Sequence, residues 1–176
     1  MKSLLIYRLI IVNVCGISFL VWAWSLGYVQ QVFKGDVSHI SYVISVLFFL
    51  GLLSTFRRAF KVSRAMDENA DYLTRKQLQA KAAKMPAKNA HIADIIEWLV
   101  LLGLIGNVVG FLLALAGADV SSLNTPEGTQ KLAGQLLAGL GVAFYTTLAG
   151  TVFALWTSVN YRMLETATSL YIEDCK

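Results

Sequence analysis

The chain has 176 residues, of which 56% are hydrophobic and only 15% are charged, with a formal net charge of +4. A soluble globular domain has about 45–50% apolar and about 25% charged residues, so this composition excludes a soluble fold and predicts a membrane protein. The two cysteines, Cys15 and Cys175, are too few for a disulfide scaffold, and the many apolar residues exclude intrinsic disorder.

Four charge-free stretches follow one another along the chain. They comprise residues 9–33, 37–56, 98–118 and 132–161, or 25, 20, 21 and 30 residues. A helix needs about 20 residues to cross a hydrocarbon core of about 30 Å, so we predict an all-α polytopic membrane protein with four transmembrane helices. The first and fourth stretches are long enough to tilt or to project from the bilayer. The first is also too long for a cleaved signal peptide.

Lysine and arginine residues are concentrated on one side of the predicted spans. The segment of residues 57–88 carries nine of the 15, and four more lie on the same side near the two termini. The two opposite loops hold only Lys34 and Lys131. By the positive-inside rule, both termini and the basic segment are cytoplasmic. Because aromatic residues do not alternate with its cations, we interpret this segment as a topology determinant and a contact for lipid headgroups, not as a nucleic-acid site.

This topology divides the chain into four parts. Residues 1–56 hold the first two spans and a short periplasmic loop, and residues 57–93 form a basic cytoplasmic segment. We predict that this segment is helical, since it contains no glycine or proline before Pro86. Residues 94–161 hold the third and fourth spans, and residues 162–176 form a cytoplasmic tail.

The predicted spans contain no charged side chain near the middle of the bilayer, where ion transporters and membrane enzymes usually keep one. Asp94 and Glu97 lie one helical turn apart at the cytoplasmic mouth of the third span. His39 and His91 lie at boundaries and far apart, and no group of His, Cys and acidic residues has the spacing of metal ligands. We therefore predict that the chain is not an enzyme and holds no metal or cofactor.

The third span places glycines beside a polar side chain. Gly103, Gly106 and Gly110 surround Asn107, and the last two glycines form a GxxxG pair that allows another helix to approach closely. An asparagine side chain inside the bilayer loses its hydrogen bonds to water, which costs free energy unless other groups hydrogen-bond it. Asn107 is therefore either hydrogen-bonded between helices or exposed to a pore, and the sequence leaves both open.

The fourth span combines glycines with hydroxyl groups. Its glycines are Gly139, Gly141 and Gly150. One side of the helix carries three hydroxyl residues at helical spacing: Thr147, Thr151 and Ser158. Thr146 lies on an adjoining strip. A threonine in a membrane helix usually bonds its own backbone, but a whole hydroxyl strip beside glycines indicates a face that packs against polar or hydrated surroundings.

In these two spans the chain resembles the MotA/TolQ/ExbB proton-channel family. Residues 103–110 are similar to the family's GLxGTVxG-type motif of the third span. Residues 139–150 are similar to its glycine- and threonine-containing motif of the fourth span. The similarity covers about residues 98–160, and the order of spans with a basic cytoplasmic segment between them also agrees.

The resemblance implies a ring of five copies around two single-span partner helices of the MotB/TolR/ExbD type, in the bacterial inner membrane. In such complexes the proton-carrying aspartate belongs to the partner, and threonines of the third and fourth spans line its path. Thr147 matches the family's fourth-span threonine, with Thr146 and Thr151 beside it, and Asn107 stands in place of the third-span threonine. Six glycines are predicted to pack helices: Gly103, Gly106, Gly110, Gly139, Gly141 and Gly150.

Three departures from the family pattern narrow the prediction. Val142 stands where TolQ- and ExbB-type members usually have a glutamate, which favours the MotA side. Trp156 stands where many members have a proline, which implies a helix without a kink. The cytoplasmic segment of about 40 residues leaves little room for a rotor-contacting domain. We therefore predict the channel-forming subunit of a compact proton-motive-force-driven motor, with a non-conducting oligomeric scaffold as the alternative.

Overall fold

The computed structural model describes residues 2–36, 38–72, 84–116 and 125–174. This part of the chain forms five helices: α1 (Lys2–Ser25), α2 (Tyr28–Gly35), α3 (Ile40–Tyr72), α4 (Met85–Ala116) and α5 (Pro126–Asp174). Four of the described helices, all except α2, are long and apolar enough to cross a membrane. The predicted all-α fold with four candidate membrane spans is therefore confirmed.

The first charge-free stretch is interrupted, in contrast to the single long helix predicted there. α1 ends at Ser25, and Gly27 has a left-handed φ of 81° before α2 begins at Tyr28. Glycine adopts this conformation at little cost because it has no Cβ. The residues beyond Ser25 therefore form a separate helix of eight residues instead of lengthening the first span.

Asp36 organises the turn between α2 and α3. Its carboxylate accepts hydrogen bonds from the backbone N–H and the hydroxyl of Ser38, at 3.0 and 2.5 Å, and from the backbone N–H of Ser41 at 2.6 Å. Asp36 is only 2% exposed. Burial acts to raise the pKa of Asp36, but the hydrogen bonds from Ser38 and Ser41 outweigh it and hold this pKa below the ordinary value of 3.8.

We expect Asp36→Asn to lower the free energy of unfolding by about 1–3 kcal/mol at neutral pH, because the amide nitrogen cannot accept the bonds that the carboxylate accepts. A lowered pKa in the folded state gives stability that is complete above the unfolded pKa and is lost as the pH falls through the folded value. The difference between the two proteins should therefore shrink below pH 3.8. Thermal unfolding in detergent across this range measures it. Asp94→Asn, at an exposed carboxylate, is the control, and equal destabilisation by both changes would contradict this account.

α3 continues well beyond the predicted second span. It contains 33 residues and reaches Tyr72, so the first part of the basic segment belongs to this helix. Residues 73–83 of the predicted helical segment lie outside the described residues. α4 begins at Met85, with Pro86 in its first turn, where a missing N–H leaves no helical hydrogen bond unmade.

Two hydrophobic clusters hold the four long helices together. In the first, the ring of Phe48 on α3 stacks on Phe153 of α5 with centroids 4.3 Å apart, beside Leu99 of α4. The second lies towards the predicted cytoplasmic end and includes residues of α1, α3, α4 and α5: Leu5, Leu9, Ala59, Val62, Ile92 and Leu164. The extension of α3 and the C-terminal part of α5 therefore pack into a common core.

A buried polar cluster attaches α1 to α5. Asn13 Nδ2 donates to Asn160 Oδ1 at 2.7 Å, and Trp156 Nε1 donates to Asn13 Oδ1 at 3.1 Å. Asn13 and Asn160 are 5% and 0% exposed. Gly16 lies against the indole of Trp156, where a Cβ would overlap the ring. Trp156 thus docks α1 onto α5, which continues through this position without a break.

We expect Asn13→Leu to lower the free energy of unfolding by about 1–3 kcal/mol, because the carbonyl of Asn160 and the indole N–H of Trp156 lose their partner. An interhelical hydrogen bond in a membrane contributes about 0.6 kcal/mol on average and about 1.7 kcal/mol at most, so the two bonds of Asn13 together give about 1–3 kcal/mol. Unfolding in sodium dodecyl sulfate measures the change. Ser18→Leu, at an exposed position of α1, is the control. If both variants unfold like the parent, the cluster does not hold α1.

Candidate functional site

α4 and α5 pack together through glycines that allow their backbones to touch. A Cβ at Gly110 would lie 2.7 Å from the backbone N of Ala143 and 2.8 Å from the carbonyl O of Gly139. A Cβ at Gly150 would lie 2.6 Å from the carbonyl O of Leu99. Movement of side chains cannot relieve such overlaps, because the neighbouring atoms are backbone. The glycine seam is formed by five of the six predicted packing glycines: Gly103, Gly106, Gly110, Gly139 and Gly150.

Gly141 lies outside the glycine seam, whereas Thr146 lies inside it. Gly141 is half-buried, and a Cβ there would meet only Tyr145 of its own helix, at 3.8 Å, so the structure does not bring it into the seam. Thr146 is fully buried against Gly106. Its hydroxyl donates to carbonyls three and four residues earlier on α5, each at 3.1 Å. The structure thus places Thr146 inside the seam, away from the surface of the chain.

Thr147 links the two helices at the edge of the glycine seam. Its hydroxyl lies 3.2 Å from the carbonyl O of Gly103 on α4 and 3.0 Å from the carbonyl O of Ala143, one turn earlier on α5. A single O–H is shared between these acceptors, and the hydroxyl oxygen retains lone pairs of its own. The side chain is half-buried, so this hydroxyl can both donate inwards and accept from a group outside the chain.

Asn107 and Thr147 lie on the same side of the α4–α5 pair. At about 100° per residue, Asn107 is rotated by about 120° from Ile95, which packs against α3. Thr147 is likewise rotated by about 120° from Phe153, which stacks on an α3 ring. Around the axis of α4, the glycines of the seam lie between Ile95 and Asn107. Around the axis of α5, they lie between Phe153 and Thr147. Asn107 and Thr147 therefore both face away from α3. Thr151, one turn after Thr147, is exposed on this same side.

Asn107, Thr147 and Thr151 form a polar strip on the surface of the chain. The hydroxyl of Thr151 donates to two carbonyls of its own helix, at 2.8 and 3.2 Å. Asn107 is half-buried, and its side chain makes no hydrogen bond to the residues that the structure describes. Its amide can therefore donate to, and accept from, a group outside this part of the chain.

Asp94 and Glu97 are both exposed in the first half of α4. About the axis of α4, Asp94 is rotated by about 140° from Asn107, and Glu97 is rotated by about 80° from Asn107. The structure therefore does not align Asp94 with the polar strip. Within the described residues, no group of His, Cys, Asp and Glu side chains could hold a metal ion.

Several buried polar contacts were not predicted from the sequence. Besides the cluster around Asn13, His91 Nε2 and Ser54 Oγ form a hydrogen bond of 2.5 Å between α4 and α3. Asn89 Nδ2 donates to Thr168 Oγ1 at 3.4 Å between α4 and α5. Asn13 and Asn160 lie inside charge-free stretches, as Asn107 does, so a search for amides in those stretches would have found them.

The comparison with protein families covers the part of the chain that forms this site. The model of the MotA/TolQ/ExbB proton channel family matches residues 49–175, which include the glycine seam and the polar strip. A comparison with curated proteins finds no match, and neither does a comparison with solved structures. Because the matched residues make up well over half of the chain, the protein belongs to the MotA/TolQ/ExbB proton channel family.

Proposed function

We propose that the chain is the channel-forming subunit of a proton-motive-force-driven energy-transducing complex. The observation that carries this proposal is the Thr147 hydroxyl, which bonds the Gly103 carbonyl at the edge of the glycine seam and borders the polar strip. Backbones in close contact fix the position of the strip, while its amide and hydroxyl groups offer donors and acceptors within an otherwise apolar surface.

A partner must supply the group that carries the proton. Residues 98–116 and 132–160 contain no carboxyl, amine, guanidinium or imidazole side chain. Hydroxyl and amide groups can hydrogen-bond a carboxylate, but they do not hold a proton at neutral pH. We therefore assign the ion-carrying aspartate to a single-span protein of the MotB/TolR/ExbD type.

The polar strip suits a carboxylate that alternates between two protonation states. A charged group in the bilayer is costly unless other groups hydrogen-bond it. The Asn107 amide offers donors to the ionised form, while the single O–H of Thr147 is donated inside the chain. The same side chains offer acceptor oxygens to the protonated form. Each proton that enters down the membrane potential releases about 2.3 kcal/mol per 100 mV, and this energy moves the partner relative to the ring.

The arrangement of the helices supports a ring in which α4 and α5 face inwards. The polar strip lies on the side of these helices that is away from α3. α1 is attached through Trp156, whose ring also packs against Phe48 of α3. α1 and α3 therefore lie towards the lipid. We propose a homo-pentamer in the bacterial inner membrane with both termini in the cytoplasm, as the distribution of cations predicts.

No observation favours the alternative of a non-conducting scaffold. That hypothesis needs glycine-rich faces that are free to join one copy to another. Five of the six glycines concerned are instead occupied by contacts between α4 and α5 of the same chain.

The proposal is tested by purifying the protein from its own cells in mild detergent and identifying the membrane proteins that copurify by mass spectrometry. We expect a single-span protein with an aspartate early in its span. A homo-oligomer without such a protein would contradict the proposal and support the scaffold.

A further inference from the structure

The outward face of α3 changes from apolar to basic along its length. After Tyr42, which is also exposed, its first part exposes five large aliphatic or phenyl side chains: Val43, Val46, Phe49, Leu50 and Leu53. Its second part exposes Arg57, Phe60, Lys61 and Arg64. At about 100° per residue, all nine lie within about 120° of one another. They form one continuous face, because the opposite side, with Phe48, Ala59 and Val62, is buried in the bundle.

The position of the change corresponds to the edge of a bilayer. About 20 residues cross the hydrocarbon core, and the charge-free stretch that ends at Phe56 has that length. Arg57 and Arg64 are separated by about 10 Å along the helix axis. The headgroup region on each side of the core is about 5–8 Å thick, and long basic side chains can bend back to reach it. The three cations therefore lie at the level of the lipid phosphates.

The charge on this face is of one sign as far as Arg64. No Asp or Glu occurs between Ile40 and Arg64. The first acidic residues of α3, Asp67 and Glu68, follow Arg64 by three and four positions, about 4.5–6 Å farther from the bilayer along the helix axis. A run of cations that begins where a membrane helix leaves the bilayer attracts anionic lipids.

We propose that Arg57, Lys61 and Arg64 bind the phosphate groups of anionic phospholipids in the cytoplasmic leaflet, with Phe60 and Leu53 against the acyl chains. The α3 face is then covered by lipid, not by a second copy of the chain or another protein. This inference does not depend on proton conduction, so its failure would leave the proposed function untouched.

Native mass spectrometry of the purified complex, incubated with equal amounts of phosphatidylglycerol and phosphatidylcholine, tests the proposal. The parent protein should retain phosphatidylglycerol preferentially. The triple change Arg57→Gln, Lys61→Gln and Arg64→Gln should weaken phosphatidylglycerol binding by on the order of 100-fold, or about fivefold per cation. Arg57→Lys with Arg64→Lys should retain the preference, because it keeps the charge and shows that the face tolerates substitution.

The matched control removes three exposed cations that lie outside α3: Lys84→Gln, Lys88→Gln and Arg162→Gln. It should bind phosphatidylglycerol like the parent. An equal loss in the control, or full retention in the triple variant, would overturn the proposal. The proposal would also be overturned if inorganic phosphate competed equally well with phosphatidylglycerol, because the site would then recognise a free anion. If the triple variant changed in oligomer size but not in lipid binding, this face would be assigned to a second copy of the chain.

Discussion

Thr147→Val is expected to lower proton flux through the assembled complex by about 10- to 100-fold. Valine has nearly the shape of threonine but lacks the hydroxyl that bonds Gly103 and borders the polar strip. Without this oxygen the protonated carboxyl group of the partner loses an acceptor, and a buried donor without its partner costs about 1–3 kcal/mol, which sets the expected range. The lost interhelical bond destabilises the fold by only about 0.6 kcal/mol, so assembly should survive. Flux is measured in liposomes with a pH-sensitive dye under an imposed potential.

Thr157→Val is the matched control for this experiment. Thr157 lies on the same helix and is buried, but its hydroxyl donates only to the carbonyl of Phe153 on α5, at 2.8 Å. This variant should conduct like the parent, and Thr147→Ser should restore much of the flux. Full activity of Thr147→Val would remove this residue from the ion path, and an equal loss in Thr157→Val would assign the effect to packing.

Gly110→Ala and Gly150→Ala are each expected to lower the free energy of unfolding by about 1–3 kcal/mol, the usual effect of overpacking. Each new methyl group would lie within 2.6–2.8 Å of backbone atoms on the facing helix. α4 and α5 can accommodate it only by moving apart, which also displaces the hydroxyl of Thr147 from Gly103. Reversible unfolding in mixed detergent micelles measures the stability, and flux should fall in parallel.

Gly134→Ala is the control, since a Cβ at this position has nothing within 4 Å. Replacing an exposed glycine in a helix should stabilise the protein by about 0.5–1 kcal/mol. Gly141→Ala should be tolerated as well, because its Cβ would make only an ordinary contact with Tyr145. The same loss of stability at Gly134 and Gly110 would mean that close packing in the glycine seam does not determine these effects.

The four spans could be predicted from the sequence because the length and polarity of a transmembrane helix are set by the bilayer itself. The break at Gly27 could not, since a glycine inside a charge-free stretch is equally compatible with a continuous membrane helix. The Asp36 turn was also missed, because its three hydrogen bonds depend on the path of the backbone through Ser38 and Ser41.

The candidate site could be predicted in part. The spacing of Gly106 and Gly110 indicates close packing, but spacing alone does not give the partner helix, which proves to be α5 of the same chain. Thr146 and Thr147 are adjacent in sequence, yet one fills the space beside Gly106 and the other lies at the edge of the seam. Such a distinction requires the rotation of both helices about their axes.

Proton flux into liposomes tests the central claim most directly: this chain conducts protons only with a carboxylate from a partner. Three preparations are compared under the same membrane potential: the chain alone, the chain with its copurifying single-span partner, and the chain with the partner's aspartate replaced by asparagine. We predict flux in the second preparation and none above background in the other two. Equal flux from the chain alone would contradict the claim.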